Sequence, residues 1–312
     1  MAKNNINVLF VDDEIRIVRS LGILFRSQYL VHTATSGREA LGILKSHPIH
    51  VMVSDQRMPG MTGVELFKTV KRVSPNTIRI LLTGYSDMSA IVDSINEGEV
   101  FRYINKPWAM EEMKTTIGKA AKIAGKIFDQ DRKLPFVGES ADPIPQDILV
   151  LDDYLGVSLM VESILKDRYR VFVVNGLDEA LQVLARENVA VIIADIRKNN
   201  SNNIPLIKLL KREYPLAVTV VVTDSADSQT AIDLINQGQV YRYLQNIDPG
   251  LLRLTVFHAM QYYRRIKSRP VELARHAVEE MEAGEEQRIV RNFAGKWDLI
   301  RKKMFQIIEA SA

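Results

Sequence analysis

The chain has 312 residues, 46% of them hydrophobic and 25% charged, with a net charge of +3; these proportions suit a soluble globular protein of two domains, or two and an appendage. The small charge of mixed sign gives no reason to expect nucleic acid or an anionic membrane as a partner, and no apolar run reaches the roughly eighteen residues of a membrane span. Cysteine is absent, which excludes disulfides, thiolate metal sites and cysteine nucleophiles together, and the opening MAKNNINVLF has no signal-like core, so the expected location is cytoplasmic.

In chain order, a first apolar strand, Val8 to Val11, ends on the adjacent carboxylates Asp12 and Asp13. Ile15, Val18 and Leu21 then recur at helical spacing, predicting an amphipathic helix from Glu14 to about Gln28. Tyr29 to Ala34 reads as a short strand. Ser36 followed by Glu39 starts a helix ending near Ser46, which His47-Pro48 stops. Val51 to Asp55 is a buried strand cut off by a turn around Met58, Pro59 and Gly60. A helix from about Gly63 to Arg72 follows, then Ser74-Pro75-Asn76 and a strand ending on Thr83. A helix from about Met88 to Glu97 stops at Gly98. The fifth strand, Val100 to Ile104, precedes Lys106-Pro107 and a long helix from Ala109 to about Asp129. Five such units predict a parallel sheet with both faces covered.

The strand ends share one polarity, so Asp12, Asp13, Asp55, Thr83 and Lys106 converge on the carboxyl edge, where open α/β sheets place their chemistry. One aspartate at a strand end signifies little, since many merely cap a helix or close a turn; the company it keeps is what counts. Clustered carboxylates raise each other's pKa unless a cation joins them, and oxygen ligands without His or Cys suit Mg²⁺. An aspartate beside such a metal can attack a phosphoryl group. Thr83 and Lys106 are a hydrogen-bond donor and a counter-charge for the new phosphoryl oxygens.

On these residues, 1 to about 128 resemble the receiver domain of bacterial two-component response regulators. The matching pieces are Asp12 and Asp13, Asp55 with its MPG turn, Thr83 before Gly84, and Lys106-Pro107 with Tyr103 three positions earlier. The resemblance implies Asp55 as phosphoacceptor, Asp12 and Asp13 beside it as Mg²⁺ ligands, and Thr83 with Tyr103 as the switch pair. It also implies a flavodoxin-like strand order 2-1-3-4-5, and a histidine kinase or histidine phosphotransfer protein as phosphodonor.

Residues 131–146 hold three prolines and no apolar period, and read as a linker. The chain then repeats itself. Asp152 and Asp153 stand 140 positions after Asp12 and Asp13, and Asp195, Thr223 and Tyr243 keep that offset from Asp55, Thr83 and Tyr103. A second receiver-like domain at 147–267 is therefore expected. It departs from the first: Asn246 replaces Lys106, Asp224 replaces Gly84, and Lys198-Asn199-Asn200 replaces the MPG turn. An amide carries no counter-charge and an added carboxylate repels phosphate, so this copy reads as a degenerate receiver serving for contact. A working site of altered lifetime is its rival.

The expected architecture is thus two flavodoxin-like (βα)5 doubly wound domains in tandem, 1–130 and 147–267, with an α-helical extension at 268–312. In that tail Ile289, Phe293, Trp297, Ile300, Met304 and Ile307 form one apolar stripe, suiting either a hairpin packed on its own domain or a homodimer seam. His276 lies in no recognisable transfer motif, and the other histidines lack metal-ligand spacing. The leading expectation is a phosphorelay response regulator that accepts phosphate on Asp55 and switches protein contacts, without enzymatic turnover beyond slow autodephosphorylation. The alternatives are a DNA-binding regulator, a longer chain with an effector domain, and a phosphatase.

Overall fold

The structure, a computed structural model, describes residues 5–84, 100–133, 147–152, 156–196, 203–223, 232, 235–236, 240–245, 247–269 and 272–273. The chain forms two compact units that are not contiguous in sequence. The first comprises Met1–Glu139, Ala226–Asn236 and Arg269–Ala277; the second comprises Ser140–Ser225, Gln237–Ser268 and Val278–Ala312.

In the first unit the elements are β1 (Asn7–Val11), α1 (Ile15–Phe25), β2 (Leu30–Ala34), α2 (Gly37–Ser46), β3 (Val51–Asp55), α3 (Gly63–Val73), β4 (Ile78–Thr83), β5 (Arg102–Asn105) and α4 (Met110–Lys133). All strand pairs are parallel, in the order β2-β1-β3-β4-β5. This is the flavodoxin-like order expected. The inner strands β1, β3 and β4 are buried along their whole length, as helices on both faces require, and each fully buried Val or Ile contributes about 1.5–3 kcal/mol. Val8, Phe10, Val51, Val53, Ile80 and Ile104 belong to a core completed by Phe25 of α1 and by Met113 and Ile117 of α4.

Local chemistry sets the helix ends. Ser36 caps α2 by accepting from the Glu39 amide, but the Glu39 carboxylate takes the N–H and hydroxyl of Thr35 instead of reaching back to Ser36. The full reciprocal capping box belongs to α3, between Thr62 and Glu65. α1 stops at Phe25 rather than continuing to Gln28, because the Gln28 and Tyr29 amides both turn back to the Phe25 carbonyl while the Phe25 ring packs on Phe10 and Tyr29. α4 runs past Asp129 to Lys133.

The second unit contains β6 (Asp147–Leu151), α5 (Gly156–Leu165), β7 (Val171–Val174), α6 (Leu177–Arg186), β8 (Val189–Asp195), α7 (Asn203–Glu213), β9 (Val218–Val222), β10 (Arg242–Leu244) and α8 (Pro249–Ser268). Its five strands are parallel in the order β10-β9-β8-β6-β7, which read from the β7 edge is the order of the first sheet. The expected helix at 88–97, the span 134–146 of the linker and the apolar stripe of the tail lie outside the described residues, as does His276.

Candidate functional site

The carboxyl edge of the first sheet is assembled by register. Asp55 ends β3 opposite Leu82, and Thr83 ends β4 opposite Asn105, one residue before Lys106. Asp12 follows β1 directly and is buried, its Oδ1 accepting from the Glu14 amide. The Asp55 carboxylate is also buried, and the Arg57 amide holds its Oδ2 at 3.0 Å.

Lys106 joins the two acids. Its ammonium lies 2.7 Å from Asp55 Oδ1 and 3.0 Å from Asp12 Oδ2, with the Trp108 ring centroid 5.8 Å away. Burial pushes the Asp55 carboxyl above its ordinary range, and the Asp12 charge adds to this, against the hydrogen bond and attraction of Lys106. Burial by itself would lower the Lys106 ammonium, yet its bonds to Asp55 and Asp12 outweigh that and hold it above the ordinary lysine range. Burial thus decides the direction at Asp55, while at Lys106 the two carboxylate acceptors outweigh burial.

Asp13 does not join them: it is exposed. Among the described residues no three His, Cys, Asp or Glu side chains stand together as a metal cage, so the expected trio meets only as the pair Asp12 and Asp55. The donor chemistry nevertheless fits a hard divalent cation, being all oxygen and leaving net negative charge after Lys106 is counted.

The two residues expected to form a switch pair are both buried. Thr83 Oγ1 donates to the Gly84 carbonyl at 3.2 Å. Tyr103 is 1% exposed, and its backbone N–H and C=O both bond the side chain of Asn236, at 2.9 and 3.0 Å.

Two supporting residues escaped the sequence reading. Gln56 is buried and spans the turn, its backbone carbonyl accepting from the Gly63 amide and its side-chain oxygen from the Val64 amide. Gly63 approaches the strand end so closely that a Cβ there would lie 2.4 Å from the Asp55 carbonyl oxygen and 2.7 Å from Leu81 Cδ1. Gly60, in the same turn, adopts φ 77°, which glycine accepts without strain. A polar residue after the strand and a glycine at the helix start were the available signals.

In the second unit Asp152, Asp195 and Thr223 are buried at the corresponding strand ends, and Tyr243 is buried within β10. Asp152 is directed differently from Asp12. Its Oδ2 accepts from the amides of Val157 and Ser158 at 2.8 and 2.7 Å, so it closes the start of α5. Asp153, Asp224, Asn246 and Lys198-Asn199-Asn200 lie outside the described residues.

Residues 8–118 match the family model described as the response regulator receiver domain. The chain is 36% identical over 132 residues to the hydrogenase transcriptional regulatory protein HoxA of Cupriavidus necator, a match covering 42% of this chain and 27% of HoxA. It is 34% identical over 112 residues to the DNA-binding transcriptional regulator NtrC of Klebsiella pneumoniae, covering 36% of this chain and 24% of NtrC. The chain thus spans about a quarter of the length of these relatives. Their descriptions as transcriptional regulators, and NtrC's as DNA-binding, give no support to the expectation that nucleic acid has no part. Among solved structures, the signal receiver domain of an HD domain-containing protein from Pseudomonas fluorescens Pf-5 is 30% identical, covering 42% of this chain and 96% of that one, with a TM-score of 0.39. Among the described residues no helix is long and apolar enough to cross a membrane.

Proposed function

Because residues 8–118 are a response regulator receiver domain, we propose that this protein is a phosphorelay regulator in which Asp55 accepts a phosphoryl group from a histidine kinase or histidine phosphotransfer protein. The observation that carries this is the Lys106 ammonium held between Asp55 and Asp12 at the end of the sheet.

An Asp55 carboxylate oxygen attacks phosphorus. The bond from phosphorus to that oxygen forms while the donor's bond to phosphorus breaks, and the donor atom keeps the electron pair. Lys106 then offers its ammonium to the added negative oxygens, and the Arg57 amide keeps the carboxylate oriented. Asp12 and Asp55, joined by Asp13 once its exposed side chain turns toward them, would hold Mg²⁺, which when bound supplies positive charge against the phosphoryl oxygens. The added charge of about −1.5 to −2 at the sheet edge draws on Thr83 and Tyr103 and changes which protein surfaces bind. External phosphoesters are not turned over; slow loss of the group from Asp55 is the limit of hydrolysis.

The second sheet serves, in this reading, as a degenerate receiver in a cytoplasmic protein. Support comes from the constant offset of 140 residues, from the shared strand order, and from the use of Asp152 as a helix cap. A second reading, regulation of transcription through DNA, is favoured by the descriptions of the relatives and predicts salt-sensitive duplex binding.

Intact mass after treatment with acetyl phosphate and Mg²⁺ tests the proposal. Wild type gains one phosphate, Asp55→Asn gains none and Asp195→Asn gains one. Equal gain by wild type and Asp55→Asn removes Asp55 as acceptor.

A further inference from the structure

β5 is the edge strand of the first sheet. Leu82 of β4 pairs with Ile104, and the Lys106 amide donates to the Thr83 carbonyl. Residues 104 and 106 therefore direct their backbone groups toward β4, and strand alternation turns those of Tyr103 to the outer edge. An outer edge with unpaired N–H and C=O groups is a template for any passing strand.

Asn236 closes this position, from 133 residues away. It belongs to the segment Ala226–Asn236, which shares the compact unit of Met1–Glu139. Its amide presents one acceptor and one donor with the spacing of a peptide group. Oδ1 accepts from the Tyr103 N–H at 2.9 Å and Nδ2 donates to the Tyr103 carbonyl at 3.0 Å. Ile232 and Ile235 of the same segment are buried, while Asn236 itself is half-buried. The contact is thus a polar clasp next in sequence to the buried Ile235. Tyr103 lies three residues before the ammonium that grips Asp55, so the clasp acts on the same short strand that carries the counter-charge.

We propose that Asn236 is a positioning residue for β5: its clasp holds the Tyr103 backbone, so that modification of Asp55 and closure of the clasp shift each other's equilibrium. The coupling half rests on the phosphoacceptor reading above; the clasp does not. By thermodynamic linkage, whatever factor phosphorylation applies to the clasp, the clasp applies to phosphorylation.

The test uses the full chain as wild type, Asn236→Ala and Asn236→Asp, with amide hydrogen exchange followed by NMR and intact mass measured in parallel. Asp retains the acceptor for the Tyr103 N–H but sets a carboxylate against its carbonyl, so both variants should release the clasp. Without donor, the Tyr103 amide should exchange about fivefold or more faster in each variant, while the β3 amides stay as in wild type and show that the sheet is intact. With acetyl phosphate and Mg²⁺, exchange at Tyr103 should change in wild type but not in Asp55→Asn, and Asn236→Ala should alter the extent of phosphorylation at fixed donor. Unchanged Tyr103 exchange in both variants overturns the clasp. Exchange that ignores the donor despite a full mass gain overturns the coupling. No mass gain at all overturns the phosphoacceptor reading and the coupling with it, while the donor-free comparison still decides the clasp.

Discussion

The Lys106 ammonium lies 2.7 Å from the Asp55 carboxylate, and it divides its charge with Asp12 at 3.0 Å. Burial holds the Asp55 carboxyl above its ordinary range despite a cation in contact, and the neighbouring Asp12 charge adds to it. The shared grip means that removing the cation exposes two buried acids to each other.

Lys106→Met should therefore destabilise the protein by about 2 kcal/mol at neutral pH, on the low side of what breaking a buried ion pair costs because the lysine side chain is 28% exposed. The Asp55 carboxyl should move further up. Since a carboxyl raised on folding binds its proton more readily in the folded state, the penalty is present above its folded pKa and disappears as pH falls through that value. Urea unfolding of both proteins across the acid range should show their stabilities converging; a constant gap contradicts this account.

Gly63→Ala is expected to cost about 2 kcal/mol, because the new methyl meets the Asp55 carbonyl oxygen and Leu81 Cδ1 at impossible distances and a buried strand end has nowhere to go. Gly42→Ala, inside α2 with nothing near the added carbon, should instead stabilise by about 0.5–1 kcal/mol. Thermal unfolding of the pair measures the contrast, and the Gly63 variant should also accept phosphate more slowly from acetyl phosphate.

Asp152→Ala leaves the amides of Val157 and Ser158 without their acceptor at the start of α5. The loss should be about 1 kcal/mol, the usual worth of a helix cap, and the phosphate gained by the chain should not change. A fall in phosphorylation equal to that of Asp55→Asn would show that Asp152 does chemistry rather than capping.

Lys211 is buried in the second unit with its ammonium on the carbonyls of Pro215 and Ala217, and burial brings its pKa down to about 7. The folded chain thus releases this proton near neutrality while the unfolded chain keeps it to about 10.5. Between those values the unfolded state binds more protons, so stability should rise with pH by up to about 1.4 kcal/mol per unit. Lys211→Met should flatten that slope in denaturation curves from pH 7 to 9; an unaltered slope would assign the dependence elsewhere.

Much of the site was legible because the apolar runs and the residues that end them are local features. Val51 to Asp55 and Ile78 to Thr83 read as buried strands, and both are buried along their length. The boundary errors have local causes too: the sequence pattern runs on past Phe25, but the chain turns where its ring locks between Phe10 and Tyr29. Glu39 had the spacing of a capping box, yet its carboxylate found the amide and hydroxyl of Thr35 nearer. Spacing names the candidates for a hydrogen bond and leaves the geometry to choose among them.

By itself the sequence placed Asp12, Asp13, Asp55, Thr83 and Lys106 at one edge, because parallel strands of one sheet all end on the same side, but it did not show that Asp13 would face outward. It also contained the repeat, since an offset of 140 residues needs no structure to be seen. Only the tertiary structure decided that Lys106 grips Asp12 as well as Asp55, that Asp152 serves a helix, and that Asn236 closes the edge beside Tyr103. The orientation of a carboxylate and the partner of an edge strand depend on groups brought together by folding, and no periodicity along the chain encodes them.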